Sequence, residues 1–177
     1  MVKIFLAPIQ FSNTRLLKKI VEKLQEVFPG NVEIIELPID VESVRSVERN
    51  QYYSTKILAQ AIQHTNRYDG KILILVDFDI YVPVFTFLYG EAQLNGKHSI
   101  VSLCRLHEEF YSGVTDDELL LIRAMKEIYH ELGHNFGLIH CRNWDCVMHQ
   151  SAIIEEVDIK GDFYCSECME KVNHILH

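Results

Sequence analysis

An α/β fold, with helices packed against a mostly parallel sheet, is predicted by three observations. Apolar runs of strand length alternate with helix-period segments in βαβαβ order from Val2 to Val76, and that order implies right-handed crossovers and parallel pairing. The run Lys71 to Val76 is nearly all apolar, as a strand covered on both faces must be. A long helix with an acidic cap then carries the chain into two histidines one helical turn apart.

The elements follow in order. Val2 to Leu6 reads as a short apolar strand. Ser12 or Asn13 caps a helix through Val27, whose apolar face is Leu16, Leu17, Ile20, Val21, Leu24 and Val27; Pro29-Gly30 stops it. Val32 to Leu37 is a second strand, and Glu42 to His64 a second helix bearing Leu58, Ala61 and Ile62. Lys71 to Val76 is the third strand, Val84 to Tyr89 is β-prone, and Ser99 to Leu103 is another strand. Thr115-Asp116-Asp117-Glu118 has the pattern of a capping box. The helix it opens should turn Ile122, Met125, Tyr129 and Leu132 or Gly133 toward the sheet.

That helix ends in His130-Glu131-Leu132-Gly133-His134, followed by Gly137 and His140. Residues i and i+4 share a helical face, so His130 and His134 can aim ring nitrogens at one zinc ion. Glu131 projects about 100° around the axis from His130, off the ligand face but within reach of a water on the metal, which casts it as general base. Gly137 is the expected left-handed residue after the last turn, and the turn delivers His140 as third ligand. Three protein ligands leave a tetrahedral position for water, the pattern of a catalytic zinc.

Cys141 and Cys146 are spaced C-x4-C, and Cys165 and Cys168 C-x2-C, with eighteen residues between the pairs. This is close to the spacing of a four-thiolate structural zinc; two disulfides or unpaired buried thiols are the alternatives. His140 and Cys141 are neighbours, and successive side chains of an extended segment point opposite ways, so the two can serve different metals. Cys104, in an apolar run, reads as a small buried hydrophobe.

The eleven residues His130 to His140, followed at once by Cys141, then Cys146-Val147-Met148 and Cys165-Ser166-Glu167-Cys168, resemble the archaemetzincins, a branch of the metzincin zinc peptidases. The resemblance implies a metzincin-like domain: a twisted, mixed, mostly parallel five-stranded sheet, the active-site helix below it, and a C-terminal region bound to zinc by four cysteines. Val84 to Tyr89 becomes the antiparallel edge strand roofing the cleft, where an extended peptide can add as a further strand. Met148 becomes the methionine of the Met-turn, an apolar floor beneath the metal. The implied activity is hydrolysis of peptide bonds in peptides or proteins, with two zinc ions per chain, one catalytic and one structural.

Composition narrows the remaining classes. The chain has 177 residues, 48% of them hydrophobic, enough for residues 1–177 to form one domain. A net charge of −8 and a pI near 5.5 argue against nucleic-acid or anionic-membrane surfaces. No apolar stretch reaches the roughly 18 residues of a membrane span, and the start lacks a secretory signal, so a cytoplasmic location is expected. The chain opens on a strand, so latency through a pro-segment is not expected. The competing function is a non-catalytic, zinc-bearing peptide- or protein-interaction module with two structural zinc sites. His64, His98, His107, His149, His174 and His177 have no ligand spacing and are expected on the surface or in loops, His149 near the cleft. Tyr164 is a candidate oxyanion donor, and Asp77 and Asp79 read as a solvated strand end.

Overall fold

In the computed structural model, residues 2–28 and 31–176 are described; Met1, the Pro29-Gly30 helix stop and His177 lie outside the described residues. The main sheet has five strands in the order β2 (Val32–Ile34), β1 (Ile4–Ile9), β5 (Lys71–Val76), β8 (His98–Ser102) and β7 (Gly90–Ala92). All neighbours run parallel except β7, which is antiparallel to β8 and forms the edge. The mixed sheet with an antiparallel edge is the one expected.

Side-chain alternation along β5 divides the interior in two. Ile72, Ile74 and Val76 join Phe5, Ala7 and Ile100 under helix α2 (Ser54–His64), through Ile57, Leu58 and Ala61. Leu73 and Leu75 join Leu6 and Val101 on the opposite face. That face packs on α1 (Thr14–Val27), through Leu16, Ile20 and Leu24, and on α4 (Asp117–Asn135), through Leu120, Ala124, Ile128 and Leu132. A strand buried on both sides needs no polar face, which is why β5 is apolar from Ile72 to Val76.

Three expected elements differ. The stretch from Glu42 to His64 is not one helix: a 3-10 turn (Glu42–Val44) leads into β3 (Arg45–Ser46) and β4 (Gln51–Tyr53), and only then does α2 begin. Asn50 sits at φ +51°, a left-handed position that ends helical propagation, and β4 pairs with β6 (Ile80–Tyr81). Val84 to Tyr89 is not the edge strand, a role that falls to β7. The carbonyls of Phe85 and Thr86 accept from the Arg49 guanidinium (2.6 and 3.1 Å), and Thr86 O also from Gln51 Nε2 (2.9 Å). Side chains therefore occupy the backbone groups that a strand needs for its ladder. Finally, the N-cap of α4 is Asp116, whose carboxylate accepts from the amides of Glu118 and Leu119 (3.1 and 2.9 Å), so the box opening on Thr115 is displaced by one residue.

Smaller shifts belong with these. Asn13 caps α1 as expected, accepting from Leu16 N at 2.9 Å, but Val27 and Ile62 are exposed, and Phe28 and Ile57 fill the core instead. Ile122 is exposed rather than sheet-facing. His98 is buried, its ring held between Thr65 Oγ1 (2.7 Å) and Gln93 Oε1 (3.0 Å). Asp79 is no solvated strand end: it receives both ends of the Arg105 guanidinium at 2.8 and 2.7 Å. Cys104 is half-buried, and burial pushes its thiol up to about 11.

The C-terminal part is anchored to α4. A short helix α3 (Glu109–Ser112) precedes α4, and α5 (Ile154–Ile159) and α6 (Ser166–Leu176) follow it. Buried Arg123 reaches Asp158 (2.7 Å) and Glu108 (2.9 Å). Lys126 Nζ donates to the carbonyls of Val157 and Asp158 at 2.9 and 2.8 Å. These contacts fix the end of α5, and with it Lys160, against the helix that carries His130 and His134.

Candidate metal centre

The last turn of α4 ends in a Schellman arrangement: Gly137, at φ +84°, donates its amide to His134 O (2.9 Å), and Leu138 donates to Gly133 O (2.9 Å). The turn brings His140 back over the helix face. It also supplies Leu138 O, which accepts from His134 Nδ1 at 2.8 Å. His130 Nδ1 donates to Val147 O, also at 2.8 Å. With both Nδ1 atoms committed as donors, the Nε2 lone pairs of His130 and His134 face each other 3.1 Å apart, and His140 completes a group whose ligand atoms all lie within 4.8 Å.

Two acceptor lone pairs at that separation repel unless a cation lies between them. Two nitrogens at about 2.0–2.1 Å from a tetrahedral zinc stand about 3.3–3.4 Å apart, so the pair is close to the spacing zinc requires. Burial, with the Lys160 ammonium nearby, holds the His130 imidazolium far below its usual range, and burial also lowers His134 and His140. Neutral rings are the ligand form. Among the described residues no further histidine, cysteine or carboxylate joins this group, which leaves room for a non-protein fourth ligand.

Glu131 is buried and lines the same cleft as the three imidazoles. Burial is the main cause of a carboxyl pushed well above the usual range, with the Glu127 carboxylate adding to it and Lys160 opposing it. Its nearest wall is β7: a Cβ on Gly90 would stand 2.5 Å from Glu131 Oε1, so glycine at that edge-strand position makes space for the acid.

Met148 is fully buried, with its sulfur against Gly133. A side chain at Gly133 would collide with Met148 Sδ and stand 3.0 Å from Tyr164 Cε1. Elsewhere in a helix Gly→Ala stabilises by about 1 kcal/mol, but overpacking costs about 1–3 kcal/mol. Gly133→Ala is therefore expected to lower the melting temperature by a few degrees; an unchanged or raised value in a thermal melt would show that Met148 yields freely.

The four thiols form the second group. Cys141, Cys146, Cys165 and Cys168 gather with their sulfurs within 4.8 Å of one another. The Cys141 and Cys165 sulfurs are 3.8 Å apart, far outside the roughly 2.05 Å of a disulfide and equal to the separation of about 3.8 Å set by two Zn–S bonds of about 2.3 Å at the tetrahedral angle. Cys141 N donates to Met148 O at 2.9 Å, and Cys165 N to Cys146 Sγ at 3.3 Å. His140 and Cys141 do serve different groups, as the alternation of an extended segment requires.

Neither secondary candidate lines the cleft, although His149 lies near it, as expected, close enough to His140 to oppose a charge there. Tyr164 is buried behind α4, donating to Tyr129 O at 2.6 Å, and is not placed to act on substrate. His149 is stacked on Trp144 (4.0 Å between centroids) and hydrogen-bonded to Cys141 O at 3.0 Å. The cleft, of about 550 Å³, is lined instead by its successors Gln150, Ser151 and Ala152. Its opposite wall is β7 and the segment before it, with Glu91 fixed by Thr55 Oγ1 (2.7 Å) and Ser54 Oγ. Glu127 and Lys160, a buried ion pair at 2.8 Å, were not singled out from the sequence. Glu127 stands four residues before Glu131 and so was legible as sharing its face; nothing in the local sequence marks Lys160.

Residues 9–174 match the profile of peptidase family M54. Over 173 residues, 96% of the chain and 92% of the relative, the protein is 39% identical to the archaemetzincin of Methanocaldococcus jannaschii. The crystal structure of archaemetzincin from Methanopyrus kandleri matches 99% of this chain and 95% of its own, at 31% identity and a TM-score of 0.82. That of a zinc-dependent peptidase from Methanocorpusculum labreanum matches 96% and 100%, at 30% identity and a TM-score of 0.84.

Proposed function

The chain belongs to peptidase family M54, the archaemetzincin zinc metallopeptidases, and from that premise we propose that it hydrolyses peptide bonds with His130, His134 and His140 holding a catalytic zinc and Glu131 acting as general base. Zinc, when bound, supplies Lewis acidity toward the scissile carbonyl and lowers the pKa of water. Glu131 takes the proton of the attacking water and passes it to the departing amine, a transfer suited to a carboxylate whose proton affinity burial has raised. The free edge of β7 faces the cleft and offers backbone hydrogen bonds to an extended peptide. Cys141, Cys146, Cys165 and Cys168 hold a structural zinc, giving two per chain.

The observation that carries this reading is the facing pair of Nε2 atoms at 3.1 Å, with Glu131 lining the same cleft. A four-thiolate centre suits a reducing compartment, which favours the cytoplasm; among the described residues no helix is long and apolar enough to cross a membrane. The test is metal analysis together with cleavage-site mapping on an unbiased peptide mixture. Two zinc equivalents are expected, with cleavage lost on chelation and restored by zinc. A fully loaded protein that cuts nothing would favour the interaction module.

A further inference from the structure

One wall of the cleft is the segment that leads into β7, and its first part is a poor candidate for rigidity. Val82 to Phe87 belongs to no strand, and Val84 and Phe85 are 82% and 56% exposed. Yet Phe85, Thr86 and Phe87, all lining the cleft, are each gripped by side chains that do not line it. Arg49 Nη2 donates to Phe85 O (2.6 Å) and Thr86 O (3.1 Å), and Gln51 Nε2 donates to Thr86 O (2.9 Å). Arg49 is itself fixed. Its Nε donates to Gln51 Oε1 at 2.9 Å, and its guanidinium lies 4.2 Å from the centroid of the Tyr81 ring. Gln51 Nε2 also donates to Asp79 Oδ2 at 2.9 Å, and Asp79 accepts both ends of the Arg105 guanidinium, which lies 4.1 Å from the centroid of the Phe87 ring. Four side chains linked head to tail therefore hold three consecutive wall residues.

Stability alone is a weak reason for this network at its Arg49 end. Fixing an arginine removes much of its rotamer freedom, a hydrogen bond adds little net stability, and Phe85 and Thr86 are exposed, so holding them secures little burial. What the network secures is a wall of fixed shape. We propose that Arg49 is a positioning residue of the peptidase, holding Phe85 through the carbonyls of Phe85 and Thr86 in the place where its ring packs on an apolar side chain of the substrate. The proposal rests on the peptidase reading above. A wall ordered in advance adds no ordering cost when the substrate arrives, whereas a freed Phe85 would have to be ordered by the substrate itself. Lysine cannot fully replace Arg49, because a single ammonium lacks the planar fork that reaches two carbonyls and Gln51 together.

The experiment uses the zinc-loaded full chain and three probes: acetohydroxamate, and tripeptide hydroxamates of leucine and of glycine, each made with the chelator at either end so that both sides of the metal are sampled. Acetohydroxamate affinity reports the metal centre, and the leucine-to-glycine ratio reports the wall. Leucine is expected to bind about tenfold or more tighter than glycine. Arg49→Ala should cut that ratio by about two- to tenfold with acetohydroxamate binding unchanged, and Arg49→Lys should recover part of the loss. Phe85→Ala should cut the ratio at least as far, and adding Arg49→Ala to it should change the ratio no further, because Arg49 acts through that ring. A ratio untouched in Arg49→Ala, losses that add in the double variant, or equal binding of leucine and glycine by the unaltered chain overturns the positioning role and leaves the peptidase reading standing. A fall in acetohydroxamate binding in Arg49→Ala also overturns it, since the damage would then be general. Failure of acetohydroxamate to bind the unaltered chain overturns the metal centre, and the positioning role with it.

Discussion

Glu131→Gln is expected to reduce peptide hydrolysis by about 10²–10⁴-fold, the range that a positioned general base supplies, with zinc content unchanged. The size of the loss follows from the proposed role: an amide of the same shape cannot accept the proton of the attacking water. The retention of metal follows from geometry, because the three imidazoles are oriented by Val147 O, Leu138 O and the Gly137 turn and not by Glu131. Stability should also hold. Glutamine has nearly the size and shape of the glutamate it replaces, so it still fits beside Gly90. Turnover and zinc stoichiometry measured on the same preparation separate the outcomes. Retained turnover removes Glu131 as base, whereas loss of zinc along with turnover makes it a structural support of the ligands.

Much of this centre was legible because its parts lie close in sequence. Helical periodicity alone put His130 and His134 on one face, and the requirement for a left-handed residue marked Gly137, now seen at φ +84°. The cysteine spacings were readable for the same reason, since two ligands on one short loop converge with little chain in between. What escaped was set by distant partners. The wall facing Glu131 is β7, three residues whose Gly90 has no local pattern to mark it. The β-prone run before it is diverted from the ladder by Arg49 and Gln51, more than thirty residues upstream. Lys160 looks like a surface lysine until α5 is docked on α4 and buries it against Glu127. Local periodicity gave no hint that Gly133 sits where the Met148 sulfur needs room.

Cys168→Ser is expected to have the largest effect on stability: loss of one of two zinc equivalents, a melting temperature lower by ten degrees or more, and weaker binding of the remaining zinc. Apparent zinc binding energies of about 10–16 kcal/mol in small thiolate sites match the whole net stability of a typical domain, about 5–15 kcal/mol. Losing a ligand from that set therefore releases the C-terminal region. The effect on the histidine site is argued from three links. Cys141 directly follows His140; the Cys141 amide holds Met148 O at 2.9 Å; and Val147 O, which sets the tautomer of His130 at 2.8 Å, lies next to Cys146. A loop freed from its thiolate anchor thus loosens both the third imidazole and the acceptor that orients the first, and loss of such outer contacts typically costs 10–100-fold in metal affinity. Chelator competition should show that decrease in the histidine-bound zinc, and serine at Cys141 should reproduce it. If Cys168→Ser gives up one zinc while the other is held as tightly as before, the two centres are independent, and the adjacency of His140 and Cys141 is only economy of chain.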